Sequence, residues 1–507
     1  MNMNYVIGSG LSGVACARAL LSRGQPVTIL DAGLTLEPKN DALRLAKAEV
    51  APEAWSADAL AASSTPACGD IPEYKLSHGS DYPYRTPPAA PKLQIDAKGV
   101  AASYAQGGLS NVWGAAVLPY REHELAGWPI AMADMDTAYR AVLEFMPLAG
   151  QTDALAAGWP LYVNPKADMP VSRQAEALLR RIERHTPLNV QIGRPRLAVN
   201  AANCLACGEC LNGCPLDLIF STRQELAALS TAGMEYIPHV VVQGIEEHED
   251  SVRLHTLGEG GESRVFIGAR VFVGAGVFGS TGLMLRSLGL ARADIIDSQY
   301  FILPLLTFAR SKNVDRERLH TLAQVFLEIE DETVNPHKVH LQIYGYSNLL
   351  DATIAARLGL LKSLRPRVLE RMLVVQGYLH SDSSGRLEAH LTGDRVEVVP
   401  KRNPETRAAL KKVVKRLFGM AATLGAVPIS PLLQETVPGR GYHSGGSFPM
   451  RASPHAGETD TLGRPFGLQR THIIDSSVFP TVPAGPITLT VMANAWRIGH
   501  EAGGERL

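Results

Sequence analysis

Four cysteines in one short segment have a spacing that suits soft metal ligands. They follow the pattern C-x2-C-x2-C-x3-C, and a proline comes directly after the last of them: Cys204, Cys207, Cys210, Cys214 and Pro215. Thiolates at this spacing wrap around iron–sulfur clusters, which transfer single electrons. Four of the chain's six cysteines lie in this segment, and the segment therefore predicts a [4Fe-4S] cluster.

The fourth ligand and the kind of metal stay open at this level. Where a protein has two clusters, the cysteine before the proline serves the other cluster, and this chain has one quartet. The fourth ligand is therefore either Cys214 or Cys68, whereas Cys16 is expected to pack as a small apolar residue. Four thiolates also bind zinc. The remaining interpretation is that reduced cysteines pack a loop without a metal.

A second redox signature opens the chain. Asn4 to Ile7 has the character of a buried strand, a glycine-rich turn and a helix follow it, and a second strand ends at Asp31. Such glycines let the backbone approach a pyrophosphate, the helix N-terminus offers N–H donors, and an acid about 20 residues on binds ribose hydroxyls. No arginine follows closely, which favours FAD or NAD over NADP. The cofactor residues predicted from this unit are Gly8, Gly10, Leu11, Ser12, Gly13, Asp31 and Ala32.

Other segments indicate how the chain is organised. Gly107 to Gly114 is dense in glycine with polar side chains between, and a strand at Arg270 to Val273 ends in a further glycine turn. Both suit close contact with a cofactor. The stretch from Leu34 to Gln94 is rich in proline and alanine and is predicted to be an irregular surface connection. Alternating strands from about Tyr300 to Leu433 predict an antiparallel substrate domain.

The C-terminal part resembles a signature of the glucose-methanol-choline (GMC) oxidoreductases. Tyr442 to Met450 reads Y-H-S-G-G-S-F-P-M, and Ile473 to Thr481 reads I-I-D-S-S-V-F-P-T. The three glycine-rich segments also lie where that family has them. The resemblance implies non-covalent FAD, oxidation of a CH–OH group by hydride transfer to the flavin, and His443 as the base, a task that suits a neutral imidazole. It also implies cofactor contacts from a further set of residues: Gly108, Ser110, Asn111, Trp113, Val241, Ala275, Gly276, Asp475, Ser476, Pro486 and Ile487.

One position departs from the family pattern. Most members have a second active-site His or Asn before a proline, and this sequence has Gly485 there. Either a residue of the substrate sheet replaces that partner, or the chemistry differs from simple alcohol oxidation. Replacement is favoured because a lost hydrogen-bond donor at a charged transition state is costly. The candidates share one face of a strand: His340, Gln342 and Tyr344.

The predicted fold is α/β: a Rossmann-like FAD-binding domain with an inserted antiparallel-sheet α+β substrate domain, as the GMC resemblance implies. The FAD-binding domain is predicted to be discontinuous, at residues 1–130, 196–298 and 436–507, and to contain the cysteine cluster segment 203–222. The substrate domain is predicted at residues 131–195 and 299–435.

Composition limits the partners and the compartment. A formal charge of −1 with a pI of about 7.0 gives no electrostatic reason to expect nucleic acid or an anionic membrane as the main partner. The N-terminus lacks the pattern of a secretory signal, and no apolar run is long enough for a spanning helix. Clustered thiols suit a reducing interior. The cytoplasm is therefore the predicted location.

The main functional hypothesis is an FAD-dependent dehydrogenase of a sugar, glycoside or polyol that passes electrons through the cluster to a protein or quinone acceptor. The cluster has a structural alternative, in which it orders a loop over the active site. A second hypothesis keeps the fold and changes the substrate to a hydrophobic or lipid-linked alcohol, approached through the segment from Arg357 to Leu373. A third is a flavin and iron–sulfur electron-transfer protein without an alcohol substrate of its own.

Overall fold

The computed structural model describes residues 3–64, 73–358 and 363–505. None of the helices in these ranges has both the length and the hydrophobicity needed to cross a bilayer. The helices are α1 Leu11–Ser22, α2 Pro38–Ala48, α3 Ala57–Ser63, α4 Met132–Leu143, α5 Arg173–Arg184, α6 Leu226–Thr231, α7 Gly276–Leu288, α8 Asn348–Leu358, α9 Arg365–Leu369, α10 Pro404–Gly419, α11 Ala421–Leu424 and α12 Thr488–Ala502. The strands are β1 Asn4–Ile7, β2 Val27–Leu30, β3 Leu93–Ile95, β4 Val190–Gly193, β5 Glu235–Ile237, β6 Val240–Glu247, β7 Val252–Gly258, β8 Ser263–Gly268, β9 Arg270–Val273, β10 Arg292–Asp297, β11 Tyr300–Thr307, β12 Val325–Ile329, β13 Val339–Tyr344, β14 Met372–Tyr378, β15 Arg386–Thr392, β16 Arg395–Lys401, β17 Ala426–Pro428, β18 Gln434–Glu435, β19 Ser444–Gly445 and β20 Thr471–Ile473.

Five parallel strands form the sheet that carries the N-terminal glycine turn. Their order is β20-β9-β1-β2-β5, and every neighbouring pair is parallel. Helix α1 leads from β1 to β2 and packs against α12, where a side chain at Gly499 would lie 2.9 Å from the sulfur of Cys16. Cys16 is fully buried in this contact. The Rossmann-like part of the predicted fold is confirmed.

A second sheet of the structure is antiparallel. Its order is β17-β11-β14-β13-β12-β4, with β18 also beside β11. One face packs against α5 and α10, whose buried residues include Leu178 and Leu417. Helix α10 starts where the sequence predicts, because the Asn403 side chain accepts a hydrogen bond from the Glu405 N–H and Pro404 occupies the first position. The opposite face of the sheet carries polar residues.

Two segments of the predicted substrate domain also pack against elements of the predicted FAD-binding domain. Helix α4 packs against α12. Strand β15 pairs with β10 and contacts α7, and β16 pairs with β15, so that residues 386–401 share the hydrophobic core of the parallel sheet. A crossing of the chain between two cores leaves no local change in composition, and the sequence alone therefore does not locate it.

The prediction of an irregular connection from Leu34 to Gln94 is wrong for part of its length. The stretch contains the short helices α2 and α3. Helix α2 starts with Pro38 at its first position, and the Ser56 side chain accepts a hydrogen bond from the Ala59 N–H at the start of α3. These start signals were present in the sequence but lay within a proline-rich composition. Cys68 lies outside the described residues.

Candidate active site

The N-terminal glycines allow two strand ends and a helix to meet without side chains between them. Gly8 has a φ of +93°, and a side chain there would come within 2.7 Å of the carbonyl oxygen of Gly274 at the end of β9. A side chain at Gly13 would collide with the Gly8 carbonyl. A side chain at Gly10, in contrast, would enter open space, because no atom lies within 4 Å of where it would begin. The first helical turn therefore lies against the β1 turn, with its N–H groups exposed to a ligand.

Asp31 lies at the end of β2, where two hydrogen bonds fix its carboxyl group. Its Oδ2 accepts hydrogen bonds from the hydroxyl of Ser9 and from that of Tyr236, the latter at 2.9 Å. Burial raises the pKa of Asp31 to about 6, against the opposing effect of these hydrogen bonds. A carboxyl group in this position can accept hydrogen bonds from ribose hydroxyls.

One cavity of about 510 Å³ joins the glycine turns to the C-terminal segment. Most of the cofactor residues expected from the sequence line it, and His443 lies at its other end. The expected residues on its wall are Gly8, Gly10, Leu11, Ser12, Asp31, Ala32, Gly108, Trp113, Val241, Ala275, Gly276, Asp475, Ser476, Pro486 and Ile487. Its length and lining suit an extended dinucleotide.

Three of the expected cofactor residues are not on the cavity wall. Gly13 packs against the β1 turn, as described above. Ser110 donates a hydrogen bond to the Gly107 carbonyl at 2.5 Å and accepts one from the Thr222 N–H at 3.1 Å. Asn111 donates to backbone carbonyls of its own turn. The two polar side chains satisfy the backbone of a tight turn and line a second cavity, and their contact with the cofactor stays a prediction.

His443 is a neutral base at the end of the cavity. Burial, with a smaller effect from His340, lowers its pKa to about 3. Its ring stacks on Tyr378 with 4.4 Å between ring centroids, and its Nδ1 is buried without a hydrogen-bond partner in the structure. The backbone is fixed because Ser298 N–H donates to the His443 carbonyl at 2.9 Å. A neutral imidazole can accept a proton at physiological pH.

The antiparallel sheet contributes hydroxyl and amide groups to the same end of the cavity. Gln342 and Tyr344 of β13 line it, whereas His340 is buried behind them. Three further lining residues were missed by sequence reasoning: Tyr300 of β11 and, on β14, Gln376 and Tyr378. Their signal was the alternation of polar or aromatic residues with aliphatic ones along each strand. The pairing of these strands could not be deduced from it.

Lys338 occupies the space beside Gly485. Its Nζ lies 3.5 Å from where a side chain at Gly485 would begin, and its side chain is 4% exposed. It forms ion pairs with Glu124 at 2.9 Å and with Glu328 at 3.6 Å. Gly485, which stands where the family pattern has a second active-site His or Asn, thus lies beside a lysine that is paired with two carboxylates.

The cysteine segment brings its four sulfurs into one region. Cys210 interacts electrostatically with the other three, and burial raises its pKa to about 12. Burial likewise raises the pKa of Cys207 to about 11 and that of Cys214 above its usual value. Backbone N–H groups donate to all four sulfurs, from Ala206, Glu209, Thr321, Leu216 and Leu218. Four thiols with N–H donors around them form a donor set suited to a metal cluster.

The described cysteines do not form the close group of ligand atoms that a single metal ion requires. In the part of the chain that the structure describes, three ligand atoms lie within 4.8 Å of one another at His337, His380 and Asp382 instead. The two imidazole rings there are stacked, with 3.7 Å between centroids. All five described cysteines are free.

The cysteines adjoin the main cavity. A second cavity of about 360 Å³ is lined by Cys210 and Cys214, and it shares Lys75 and Trp113 with the first. Lys75 donates a hydrogen bond from Nζ to the Trp113 carbonyl at 3.1 Å, and burial lowers its pKa to about 8. Leu211, next to Cys210, lines the first cavity directly. A group held by the cysteines is therefore close to a ligand in the main cavity.

Fold and cavity together define a dinucleotide-binding enzyme with a separate substrate sheet. Residues 376–495 match the family model described as GMC oxidoreductase. The fold is similar over the whole chain to that in a crystal structure of pyridoxine 4-oxidase from Mesorbium loti, with a TM-score of 0.61, 14% identity and 100% of each chain covered. No curated protein sequence matches the chain. The match of this C-terminal part to the GMC oxidoreductase model confirms the resemblance found in the sequence.

Proposed function

We propose that this protein is an FAD-dependent dehydrogenase that oxidises a CH–OH group of a sugar, glycoside or polyol and that carries a [4Fe-4S] cluster for passing electrons to a protein or quinone acceptor. The observation that carries the proposal is the cavity that connects Asp31 to His443. Bound in that cavity, FAD would accept a hydride from the substrate carbon. The glycine turns and Asp31 would hold its pyrophosphate and ribose.

His443 is the residue that would take the proton of the substrate hydroxyl. Its lowered pKa keeps the imidazole neutral. The stacking on Tyr378 and the hydrogen bond to its backbone carbonyl hold it in one orientation. Proton removal by a positioned base supports loss of the hydride from the same carbon–oxygen unit.

The lining of the cavity near His443 supports a polyhydroxylated substrate. Two amides, Gln342 and Gln376, stand directly opposite each other on β13 and β14. Tyr300 and Tyr378 add hydroxyl groups and aromatic faces. Several donors and acceptors around one site match the hydroxyls of a sugar, since each buried polar group must find a partner when the substrate binds.

The cysteine segment supports the cluster proposal by its donor set. Cys204, Cys207, Cys210 and Cys214 are the proposed ligands, because Cys214 interacts with the other sulfurs and accepts N–H donors of its own. Burial raises the pKa of the Cys207, Cys210 and Cys214 thiols and so holds protons on them, and binding of a cationic metal group would release these protons. The two cavities share Lys75 and Trp113, and this adjacency supports a role in electron transfer over a purely structural one.

The first test is anaerobic purification with an absorbance spectrum and analysis of iron, sulfide and zinc. We expect flavin bands with about four irons and four sulfides per chain. Cys204→Ala should lose the iron and keep the flavin, while Cys16→Ala, the matched control in α1, should keep both. Flavin without iron would refute the cluster, and oxygen would then be the first electron acceptor to test.

The second test concerns the alcohol chemistry. His443→Ala should retain FAD and lose most turnover of a panel of sugars and polyols measured with a dye as electron acceptor, because no other base replaces the imidazole. Unimpaired turnover would remove His443 from the mechanism. Reduction of the bound flavin by a member of the panel, without any added protein, would exclude a pure electron-carrier role.

A hydrophobic or lipid-linked alcohol is the second candidate substrate. It is favoured by Leu349 of α8, which lines the cavity just before the segment from Arg357 to Leu373; residues 359–362 of that segment are outside the described ranges. Co-sedimentation with anionic lipid vesicles separates the candidates, since only the lipid-linked substrate requires binding to them.

A further inference from the structure

A row of hydrogen bonds fixes the orientation of the Gln342 amide. His340 Nδ1 and Glu328 Oε1 are 2.5 Å apart, and His340 Nε2 lies 3.1 Å from Gln342 Nε2. The Tyr344 hydroxyl donates to Gln342 Oε1 at 2.8 Å. His340 and Glu328 are completely buried, whereas Gln342 lines the main cavity.

The direction of each hydrogen bond follows from the atoms that meet. An amide nitrogen can only donate, so His340 Nε2 must be the acceptor of the bond with Gln342. The imidazole proton therefore lies on Nδ1 and is donated to Glu328. One of the two Gln342 N–H groups is used in this way, which leaves the other for a ligand in the cavity.

Lys338 completes the arrangement beside the glycine at position 485. It forms ion pairs with Glu328 and Glu124, and Glu124 is also paired with Arg121. Burial alone would raise the pKa of Glu328, but His340 and Lys338 together hold it below its usual value. The carboxylate therefore stays an acceptor for His340, and a side chain at position 485 would start in ordinary contact, 3.5 Å, with the Lys338 ammonium group.

We propose that Gln342 supplies the hydrogen-bond donor that position 485 lacks, and that His340, Glu328 and Lys338 are its positioning residues. The inference rests on the proposed alcohol oxidation. In that reaction bound FAD would accept the C–H electron pair as hydride, His443 would take the hydroxyl proton, and the C–O bond would become a carbonyl. The free N–H of Gln342 donates to that oxygen, which gains negative charge as its proton leaves.

Substitutions at Gln342 test the donor. Gln342→Met, which removes both polar atoms, and Gln342→Glu, which keeps the size but lacks N–H, should each lower kcat/KM by roughly 10- to 100-fold, mainly through kcat, with FAD content unchanged. Gln94→Met is the control for the substitution itself, because this amide is exposed on β3 and does not line the cavity. It should stay within about threefold of wild type. An active Gln342→Met enzyme, or an equal loss in Gln94→Met, overturns the inference.

A spectroscopic measurement tests the positioning without activity. In the oxidised holoenzyme labelled with 15N-histidine, the nitrogen shifts of His340, assigned by the His340→Gln variant, should show a proton on Nδ1. Glu328→Gln should shift this signal. A proton on Nε2 overturns the inference at any level of activity, because Gln342 would then present its oxygen to His340. If wild type oxidises no member of the panel, the proposed function fails first, and the catalytic role of Gln342 fails with it.

Discussion

A buried ion pair anchors the cysteine segment, and its removal should destabilise the whole protein. Lys47 Nζ of α2 lies 2.5 Å from Glu209 Oε2, with side chains 3% and 2% exposed. Ser63 donates a further bond to the same carboxylate, and the Lys47 ammonium lies over the Trp55 ring at 4.6 Å. Removing one member of such a pair leaves a buried charge uncompensated, which costs about 3–5 kcal/mol.

The change in melting temperature follows from the size of the chain. An unfolding entropy of about 2.1 cal/mol/K per residue gives about 1.1 kcal/mol/K for 507 residues. Lys47→Met should therefore lower Tm by about 4 °C in calorimetry, and it should reduce the iron retained after purification. The double variant with Glu209→Leu should recover most of the loss.

The matched control is a surface pair of the same chemistry. Lys92 and Asp394 are 2.8 Å apart with side chains 64% and 74% exposed. Lys92→Met should cost less than about 1 kcal/mol and shift Tm by less than about 1 °C. Equal effects of Lys47→Met and Lys92→Met, or a double variant at position 209 no better than the single one, would refute the buried-pair argument.

Three further predictions concern groups outside this pair. Burial lowers the pKa of His472 to about 4, below its usual 6.5. As the pH drops from 6.5 to 4, the unfolded state therefore binds a proton before the folded state does, and the free energy of unfolding falls. In urea titrations the stability deficit of His472→Gln relative to wild type should shrink by about 3 kcal/mol over that range. Ser110→Ala should cost roughly 1–2 kcal/mol in the same assay, while the Kd for FAD changes by less than about threefold, because the hydroxyl serves the turn. Gly10→Ala should abolish FAD binding without destabilising the apoprotein, whereas Gly13→Ala should destabilise the apoprotein by on the order of 3 kcal/mol; the reverse pattern would contradict the geometry of the turn.

Local signals predicted the nucleotide-binding part well, because each of its requirements lies within one segment. The strand, glycine turn, helix and Asp31 follow one another within about 30 residues. The Asn403 cap of α10 was likewise readable from the side chains at the helix start. Ser110 and Asn111 were assigned to the cofactor because polar residues between glycines suit either a ligand or a turn, and only the three-dimensional packing distinguishes these uses.

The substrate end of the site depends on strand pairing, which sequence does not specify. Gln376 and Tyr378 reach the cavity because β14 lies between β11 and β13 in the sheet. In the sequence, however, 27 residues, which include α8 and α9, separate the end of β13 from the start of β14. The pattern of alternation identified the face of each strand but not its neighbours. Lys338 gave no signal at all, since a single lysine before a strand is usually solvated.

Gly485 and Lys338 have to be considered as one unit. A side chain added at position 485 would start at contact distance from the Lys338 ammonium group, and a rearrangement that moved this group would take from Glu124 and Glu328 the cation that they share, leaving Arg121 as the partner of Glu124. Like charges in a buried site raise each other's pKa, and a protonated Glu328 would no longer hold the proton of His340 on Nδ1. The effect would then reach Gln342 through the same row of hydrogen bonds. The glycine is thus compatible with this active site because the donor it lacks is supplied from the sheet.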